Sequence, residues 1–170
     1  MPDVVVLLGP PGSGKSTIGE QLGRRGLRWR EWEPVILERW GAREAFLAVK
    51  AEALPQLHDE IRRWIAADAP PAVVEATGLS DADFLDGLER DHRCLVVRLD
   101  VGEDEAMRRV TTRDQDRHLT DDVERSRSVW RAFYEGPGTH RRVDLAIDTD
   151  RQPAARSTDD ILAACRSDGR

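Results

Sequence analysis

The chain has 170 residues, of which 39% are hydrophobic and 34% are charged, and its formal net charge is -6. These values predict one globular domain with its own core, and no apolar run is long enough to predict a membrane span. The acidic balance argues against binding to long nucleic acid, although a local arginine cluster could still bind a nucleotide-sized molecule. Cys94 and Cys165 lack metal or redox spacing, which predicts free thiols in a reducing cytoplasm.

Short apolar runs alternate with helix-length segments along the chain. The β-branched runs predict strands of a parallel sheet at 4–8, 72–76, 94–100 and 143–148, with a weaker strand at 27–29. The helix-length segments are 15–25, 42–68, 80–91, 103–113, 121–135 and 157–167. Ser80 and Thr120 are predicted to begin two of these helices. The alternation predicts an α/β fold with three layers, α/β/α, and a single domain over residues 1–170.

The segment GPPGSGKST, residues 9–17, fits the phosphate-binding pattern G-x-x-x-x-G-K-[ST] and lies between a predicted strand and a predicted helix. Its glycines let backbone N–H groups converge on phosphate oxygens, and the helix that follows adds its positive end. Lys15 is predicted to contact the β- and γ-phosphates, and the Ser16 hydroxyl to coordinate magnesium. The predicted cofactors are therefore ATP and Mg²⁺. The predicted nucleotide-binding residues of this loop are Gly12, Ser13, Gly14, Lys15, Ser16 and Thr17.

With this loop in a compact chain, the sequence resembles the small P-loop kinases, which include shikimate kinase, gluconate kinase, chloramphenicol phosphotransferase and the nucleoside monophosphate kinases. The likeness extends over most of the chain. Besides the loop, the segments that carry it are 26–41, 73–78, 96–113 and 143–150. The resemblance implies a P-loop NTPase fold with a five-stranded parallel sheet and a kinase-type lid at about 113–124.

The acceptor side is predicted from three carboxylates. Shikimate kinases have two aspartates, two residues apart, that begin a helix and touch the acceptor and magnesium, and Glu31 and Glu33 occupy those positions here. Glu75 ends an apolar strand, where charge is unusual, and is predicted to orient the acceptor or to bind magnesium. The alternatives are glutamates that favour a helix dipole and a strand-end carboxylate facing solvent. Which of the three is the catalytic base is left open.

Two tryptophans and several departures bear on the acceptor. Trp29 and Trp32 flank Glu31 and either form a flat wall for a ring-shaped acceptor or pack in the core. Glutamates replace the aspartates, the glycine triplet of shikimate kinase is absent, and its acceptor-binding arginine has no clear match. The resemblance is therefore to the family, and the acceptor stays open.

Arg109, Arg113 and Arg117 recur every four residues, which places them on one helical face if the helix continues. A similar R-x-x-x-R opens the lid of nucleoside monophosphate kinases, and this resemblance implies that Arg109 stacks on adenine and Arg113 binds phosphate. Arg113 and Arg117 are counted as catalytic, while the participation of Arg127 and His118 is left open. The alternative is a solvated helix whose arginines pair with nearby aspartates.

Two aspartates remain on the strands of the nucleotide side. The likeness of 143–150 to the adenine-side loop implies nucleotide contacts for Asp148 and Thr149. Asp100 ends an apolar strand as a motor ATPase would require, but the helix directly after it matches the kinases instead, so it is not predicted to bind metal.

These features predict an enzyme that transfers the γ-phosphate of ATP-Mg to a hydroxyl or phosphate group of a small molecule. One alternative is a non-transferring ATP-binding regulatory module or an ATPase, although the guanine-reading N-K-x-D and a D-x-x-G after the third strand are absent. Another, within the same fold, is a nucleotide, nucleic-acid-end or toxin-type kinase. The expected partners are ATP and a small acceptor, with no membrane, and the pattern does not define the oligomeric state.

Overall fold

The computed structural model describes residues 1–41, 43–67, 71–113, 122–136 and 141–167. Five strands in these ranges form one parallel sheet in the order β2-β3-β1-β4-β5. They are β1 (Val4–Leu8), β2 (Arg28–Trp29), β3 (Ala72–Ala76), β4 (Cys94–Asp100) and β5 (Leu145–Asp148). The predicted α/β fold and five-stranded parallel sheet are confirmed, and β2 and β5 are the two strands that are shorter than their predicted ranges.

Helices cover both faces of the sheet. They are α1 (Lys15–Arg24), α2 (Glu33–Trp40), α3 (Arg43–Ala48), α4 (Lys50–Ala66), α5 (Ala82–Asp91), α6 (Glu103–Thr112), α7 (Val123–Glu135) and α8 (Ala154–Ser167). No helix in the described ranges is long and apolar enough to span a bilayer.

The helix boundaries differ from the prediction at several places, and α8 begins three residues earlier than predicted, at Ala154. The segment 42–68 is two helices, α3 and α4, because the backbone leaves the helical region at the β-branched Val49 (φ -115°, ψ 14°). Asp81, and not Ser80, precedes α5. Asp122, and not Thr120, is the N-cap of α7, since its side chain accepts a hydrogen bond from the N–H of Arg125.

The central strand β1 is buried on both faces, which explains its unbroken apolar sequence. Successive side chains of a strand point to opposite sides, so Val4 and Val6 join one hydrophobic cluster while Val5 and Leu7 join the other. The first cluster is closed by residues of α2, α3, α4, α5 and α7, and the second by residues of α1 and α8. The predicted three-layer arrangement is therefore confirmed.

The order of the strands places the functional loops at one edge. The chain leaves β1 toward β2 and β3 on one side, and β4 and β5 lie on the other side. The strand order therefore reverses direction at β1. In open α/β sheets, ligands bind outside the carboxyl ends of the strands at the point where the strand order reverses. The loop of residues 9–14 follows β1 at this point and leads directly into α1.

Trp29 packs against α1 and does not line an acceptor pocket. A Cβ atom at Gly19 would lie 2.5 Å from the Trp29 ring, and one at Gly23 would lie 2.9 Å from the Trp29 Cβ. Trp29 is packed against the second hydrophobic cluster. Of the two alternatives for Trp29, the structure therefore shows packing in the core, because two glycines four residues apart on α1 leave room for its ring.

We expect Gly19→Ala to destabilise the protein by about 1–3 kcal/mol, because the new methyl group overlaps the Trp29 ring within the packed core. Urea unfolding measures this as a lower midpoint with an unchanged slope. Gly87→Ala on α5 is the matched control. Its Cβ would meet only the flexible guanidinium end of Arg62 (3.3 Å) and Arg90 (3.7 Å), so alanine's higher helix propensity should leave stability unchanged or raise it by up to ~1 kcal/mol. Equal losses in both variants would contradict the Trp29 contact as the cause.

Candidate active site

The loop between β1 and α1 takes a shape that only glycine permits at two points. Gly12 and Gly14 have φ of 77° and 87°, which is the left-handed region. A Cβ atom on Gly12 would also lie 2.4 Å from the carbonyl oxygen of Ala106 on α6. The loop is therefore packed tightly against α6, and its backbone is free of side chains where phosphate would approach.

Lys15 is the first residue of α1, and its ammonium group lies inside the loop. Its Nζ donates hydrogen bonds to the carbonyl oxygens of Gly9 (2.7 Å) and Pro10 (2.9 Å). Burial lowers the pKa of Lys15, and the negative charges of Glu75, Glu33 and Asp81 oppose that effect. The positive charge of Arg113 lowers the pKa further, so residues from four separate segments act on one ammonium group.

Glu75 is a half-buried carboxylate at the centre of this site. It lies on β3 beside Leu7 of β1, and its Oε1 is buried with no hydrogen-bond partner in the described part of the chain. Burial raises the pKa of Glu75 to about 7, the charge of Lys15 opposes this, and Glu33 raises it further. A hydrogen bond with Ser16 also favours the ionised form. The sequence prediction that Glu75 and the loop lie together is in agreement with this geometry.

The donor set beside the loop fits Mg²⁺. A hydroxyl (Ser16) and a carboxylate (Glu75) are hard oxygen ligands of the kind that Mg²⁺ prefers, and the buried Oε1 of Glu75 offers a further coordination partner. Within the described ranges, no group of three or more His, Cys, Asp and Glu side chains could hold a metal ion. The site therefore suits an ion that arrives with phosphate oxygens and does not suit an all-protein metal cage.

Glu31 and Glu33 lie at the start of α2, next to the Glu75 side of the loop. Both raise the pKa of Glu75 through their negative charge, so the three predicted carboxylates form one cluster. The list of helix-length segments misses α2, because it is only eight residues long and its apolar face is narrow. The signals for it are Pro34 in its first turn and Gly41, whose φ of 75° ends it.

Trp32 also packs against the first hydrophobic cluster, which favours the core alternative for this side chain too. It packs edge-to-face on Trp64, with ring centroids 5.9 Å apart, and the Arg30 guanidinium lies 4.5 Å from its ring centroid. Its Nε1 is buried without a hydrogen-bond partner among the residues described. Trp40, Trp64 and Trp130 pack against hydrophobic clusters, as predicted.

Arg109 joins α6 to the loop and to the end of β5. Its Nη1 donates to the Gly12 carbonyl oxygen (3.2 Å) and to Thr149 Oγ1 (3.0 Å), and its Nη2 donates to the Thr149 carbonyl oxygen (2.8 Å). Together with Gly14 and Thr17, Arg109 and Thr149 line a cavity of about 250 Å³. The sequence places Arg109 and Thr149 on the same side of the nucleotide, and the structure brings them into contact.

Other predicted residues of this side are placed differently. Asp148 does not line the cavity, because its Oδ1 accepts from the N–H of Asp150 (3.0 Å) and its Oδ2 pairs with Arg151 (3.2 Å). Gln152 and Pro153 line the cavity instead, and the sequence analysis missed them. Their position directly after the last strand, at the carboxyl edge of the sheet, is the signal that could have found them.

The helix that carries Arg109 does not extend to Arg113. The helix ends at Thr112, and Arg113 has an extended backbone (φ -77°, ψ 163°), so the continuation that would place Arg109 and Arg113 on one helical face is not met at Arg113. Arg113 nevertheless acts on Lys15, as described above. Arg117 and His118 lie outside the described residues. Arg127 pairs with Glu103 of α6, which ties α7 to α6.

Asp100 is engaged within the protein. Its carboxylate pairs with Arg98 Nε (3.0 Å) and accepts a hydrogen bond from the Tyr134 hydroxyl (3.4 Å). Its carbonyl oxygen accepts from Thr149. These partners agree with the exclusion of Asp100 as a metal ligand.

Several known proteins are similar to this chain in sequence or in fold. The shikimate kinase of Xanthomonas axonopodis pv. citri (strain 306) is 29% identical over 170 residues, which cover 93% of this chain and 89% of that protein. The solved shikimate kinase from Acinetobacter baumannii in complex with shikimate aligns with a TM-score of 0.72 and 20% identity, over 97% of this chain and 93% of that one. A gluconokinase from Sinorhizobium meliloti 1021 aligns with a TM-score of 0.57 and 21% identity, over 94% of this chain and 89% of that one.

The sheet order, the phosphate-binding loop and these relatives define a P-loop small-molecule kinase. Residues 5–129 of the chain match the family described as AAA domain. The chain belongs to this family.

We expect Glu75→Gln to change the pH dependence of stability. Burial raises the pKa of Glu75 from 4.5 to about 7, so between these pH values the folded protein keeps a proton that the unfolded chain releases. The stability associated with the neutral carboxyl is therefore present below pH 4.5 and is lost as the pH rises through about 7, by at most about 1.4 kcal/mol per pH unit. Measured by thermal unfolding, the Tm of the variant relative to the native protein should rise by roughly 5 °C from pH 5 to pH 8.5.

Glu20→Gln is the control for this measurement, because Glu20 is an exposed carboxylate on α1 paired with Arg24. Its Tm difference from the native protein should stay nearly constant over the same range. Parallel pH profiles for the native protein and Glu75→Gln would show that Glu75 titrates as it does in the unfolded chain.

We expect Arg109→Ala to weaken ATP binding about 10- to 100-fold, because it removes the donors that join the loop to Thr149. The control is Arg108→Ala, since Arg108 is exposed on the same helix and pairs only with Glu105 among the contacts seen. Isothermal titration with a non-hydrolysable ATP analogue measures both. An unchanged dissociation constant in Arg109→Ala would place the nucleotide elsewhere.

Proposed function

We propose that the protein transfers the γ-phosphoryl group of ATP-Mg to a hydroxyl group of a small-molecule acceptor. The observation that carries the proposal is Glu75, a half-buried carboxylate with a buried Oε1, which contacts Ser16, acts on Lys15 and is itself acted on by Glu31 and Glu33. It therefore stands between the phosphate-binding loop and the glutamates at the start of α2.

The phosphate side of the proposed site is built from the loop and the arginines. The loop N–H groups and the positive end of α1 would bind the β- and γ-phosphates. Lys15 would exchange part of its bonding to the Gly9 and Pro10 carbonyl oxygens for phosphate oxygens. Arg113, whose charge acts on Lys15, would stabilise the equatorial oxygens of the transferring group. Ser16 would hold Mg²⁺, which neutralises charge on the phosphates when it is bound.

The acceptor side supplies orientation and a proton acceptor. In the proposed reaction the acceptor oxygen attacks the γ-phosphorus in line with the leaving β-phosphate oxygen, and its proton passes to a carboxylate. A carboxylate with a pKa near the working pH is best suited to that step. Glu75, with a pKa of about 7, is our choice for the base, and Glu31 and Glu33 would orient the acceptor.

The decisive experiment measures ADP release from ATP and Mg²⁺ across a panel of sugars, hydroxy acids, cyclitols, nucleosides and nucleoside monophosphates. We expect at least one class to raise the rate far above basal hydrolysis. A flat panel with ATP bound would instead support a regulatory module or an ATPase, and stimulation only by nucleotides or nucleic-acid ends would support the alternative kinases of this fold.

Two variants separate binding from transfer. We expect Lys15→Ala to lose productive ATP binding, because the buried ammonium is the main positive charge inside the loop. Glu75→Gln should still bind ATP, measured by titration, but its kcat should fall about 10²- to 10³-fold, since the amide cannot accept the proton. Equal loss of ATP affinity in both variants would contradict the role of Glu75 as base.

A further inference from the structure

We propose that Gln152, held in one orientation by Asp160, selects a nucleotide whose purine base carries an amino group at position 6. The inference rests on the proposed function, because it concerns the nucleotide that the proposed reaction consumes. It goes beyond that function in naming the side chain that would distinguish an adenine base from a guanine base.

The cavity beside Arg109 and Thr149 has two further groups of lining residues. One group belongs to the phosphate-binding loop and the start of α1, and the other belongs to the turn after β5 and the start of α8. They are Ser13, Gly14, Thr17 and Ile18 in the first group, and Gln152, Pro153, Ala154 and Ser157 in the second. A nucleotide whose phosphates are bound by the loop would therefore have its base beside the second group.

The donors of Arg109 and Thr149 are already used within the protein. The Arg109 Nε donates to Glu105 (2.7 Å), and its Nη1 and Nη2 donate to Gly12 and Thr149. The Thr149 hydroxyl donates to the Asp100 carbonyl oxygen (3.0 Å). A base that needs a donor from either side chain, as the O6 oxygen of guanine would, has to displace one of these hydrogen bonds.

The side-chain amide of Gln152 has a defined orientation. Its Nε2 donates to Asp160 Oδ2 (3.0 Å), and because an ionised carboxylate only accepts hydrogen bonds, the reversed amide would set two acceptors against each other. Arg156 pairs with the other oxygen of the Asp160 carboxylate (3.1 Å). Asp160 does not line the cavity, so the Nε2 end of the amide is directed away from it.

The Gln152 Oε1 is the end of the amide that is left for a ligand. Within the described ranges it accepts no hydrogen bond, and it is not among the buried polar atoms. Because Gln152 lines the cavity, the polar group that this side chain offers there is a hydrogen-bond acceptor.

The backbone around Gln152 is fixed on both sides. The Gln152 N–H donates to the carbonyl oxygen of Asp148 at the end of β5 (3.0 Å). The next residue is Pro153, whose ring fixes φ, and its carbonyl oxygen accepts from the N–H (3.0 Å) and Oγ (3.3 Å) of Ser157 in α8. The side chain is therefore positioned before a nucleotide arrives, which reduces the ordering cost of binding.

An acceptor at this place favours adenine over guanine. At position 6 adenine carries an amino group, which donates, and guanine carries an oxygen, which accepts. The Gln152 Oε1 would accept a hydrogen bond from the amino group of adenine, but it would face the lone pairs of the guanine oxygen. Because Asp160 prevents the amide from turning over, rotation would not relieve that repulsion. Selection would thus combine an attractive and a repulsive element.

The first test needs only the native protein and measures binding, not turnover. Isothermal titration gives the dissociation constants of non-hydrolysable analogues of ATP, of GTP and of the purine nucleoside triphosphate with hydrogen at position 6. We expect the ATP analogue to bind about 10-fold more tightly than the 6-unsubstituted compound and about 100-fold more tightly than the GTP analogue. Equal dissociation constants for the ATP and GTP analogues would overturn the selection.

Two variants assign the selection to Gln152 and its orientation to Asp160. Gln152→Ala should abolish the advantage of the ATP analogue over the 6-unsubstituted compound, because the acceptor is removed. Asp160→Asn should reduce the preference for ATP over GTP about 10-fold, mainly by tightening GTP binding, because the two amides can then turn over together. Asp159→Asn is the matched control, since Asp159 is an exposed neighbour on α8 that pairs with Arg25, and it should keep the native preference.

The outcomes distinguish this inference from the proposed function. Equal weakening of the ATP and GTP analogues by Asp160→Asn would indicate a merely structural role and overturn the assignment, as would an unchanged advantage of ATP in Gln152→Ala. Either result would leave the kinase function standing. A base preference that follows Gln152, without ADP release above the basal rate for any acceptor, would overturn the kinase function and leave the selection standing.

Discussion

The rest of the site depends on the electrostatic coupling between Lys15 and Glu75. Burial disfavours the charged form of each group, and each charge offsets part of that cost for the other. Two features of the fold enforce the coupling: β1 and β3 are adjacent parallel strands, and the glycines of the loop bring the ammonium back toward its own carbonyl oxygens. The negative charges of Glu33 and Glu31 oppose the effect of Lys15, because they raise the pKa of Glu75. The resulting pKa of Glu75 is about 7.

The nucleotide side is held together by contacts between segments that are distant in the sequence. Arg109 on α6 binds the loop after β1 and the turn after β5 at once, and Ala106 packs directly under Gly12. Thr149, in turn, donates to the carbonyl oxygen of Asp100 at the end of β4. Through Arg109 and Thr149, the ends of β1, β4 and β5 are thus joined to α6 by direct hydrogen bonds.

The sequence predicts the features that depend on local pattern. Buried parallel strands are continuous apolar runs, and the phosphate loop needs glycines at fixed positions, so both could be located from residue types alone. Trp29 could not be assigned, because its partners Gly19 and Gly23 are on another element and only the folded structure shows the gap between them. Gln152 was missed because a glutamine does not by its residue type indicate a binding site. Its position directly after β5, at the carboxyl edge of the sheet, is the feature that indicates one. The helix α2 is short, and its boundaries come from Pro34 and Gly41 and not from periodicity.

The division of charge in the site follows from its chemistry more than from the chain's net charge of -6. A triphosphate requires cations, and the fold supplies them from the loop and from the end of α6. Carboxylates from β3 and the start of α2 lie on the other half of the site. Because the two halves meet at Lys15 and Glu75, these carboxylates raise the pKa of Lys15 and so help to keep its ammonium group charged, which is the form that a triphosphate requires.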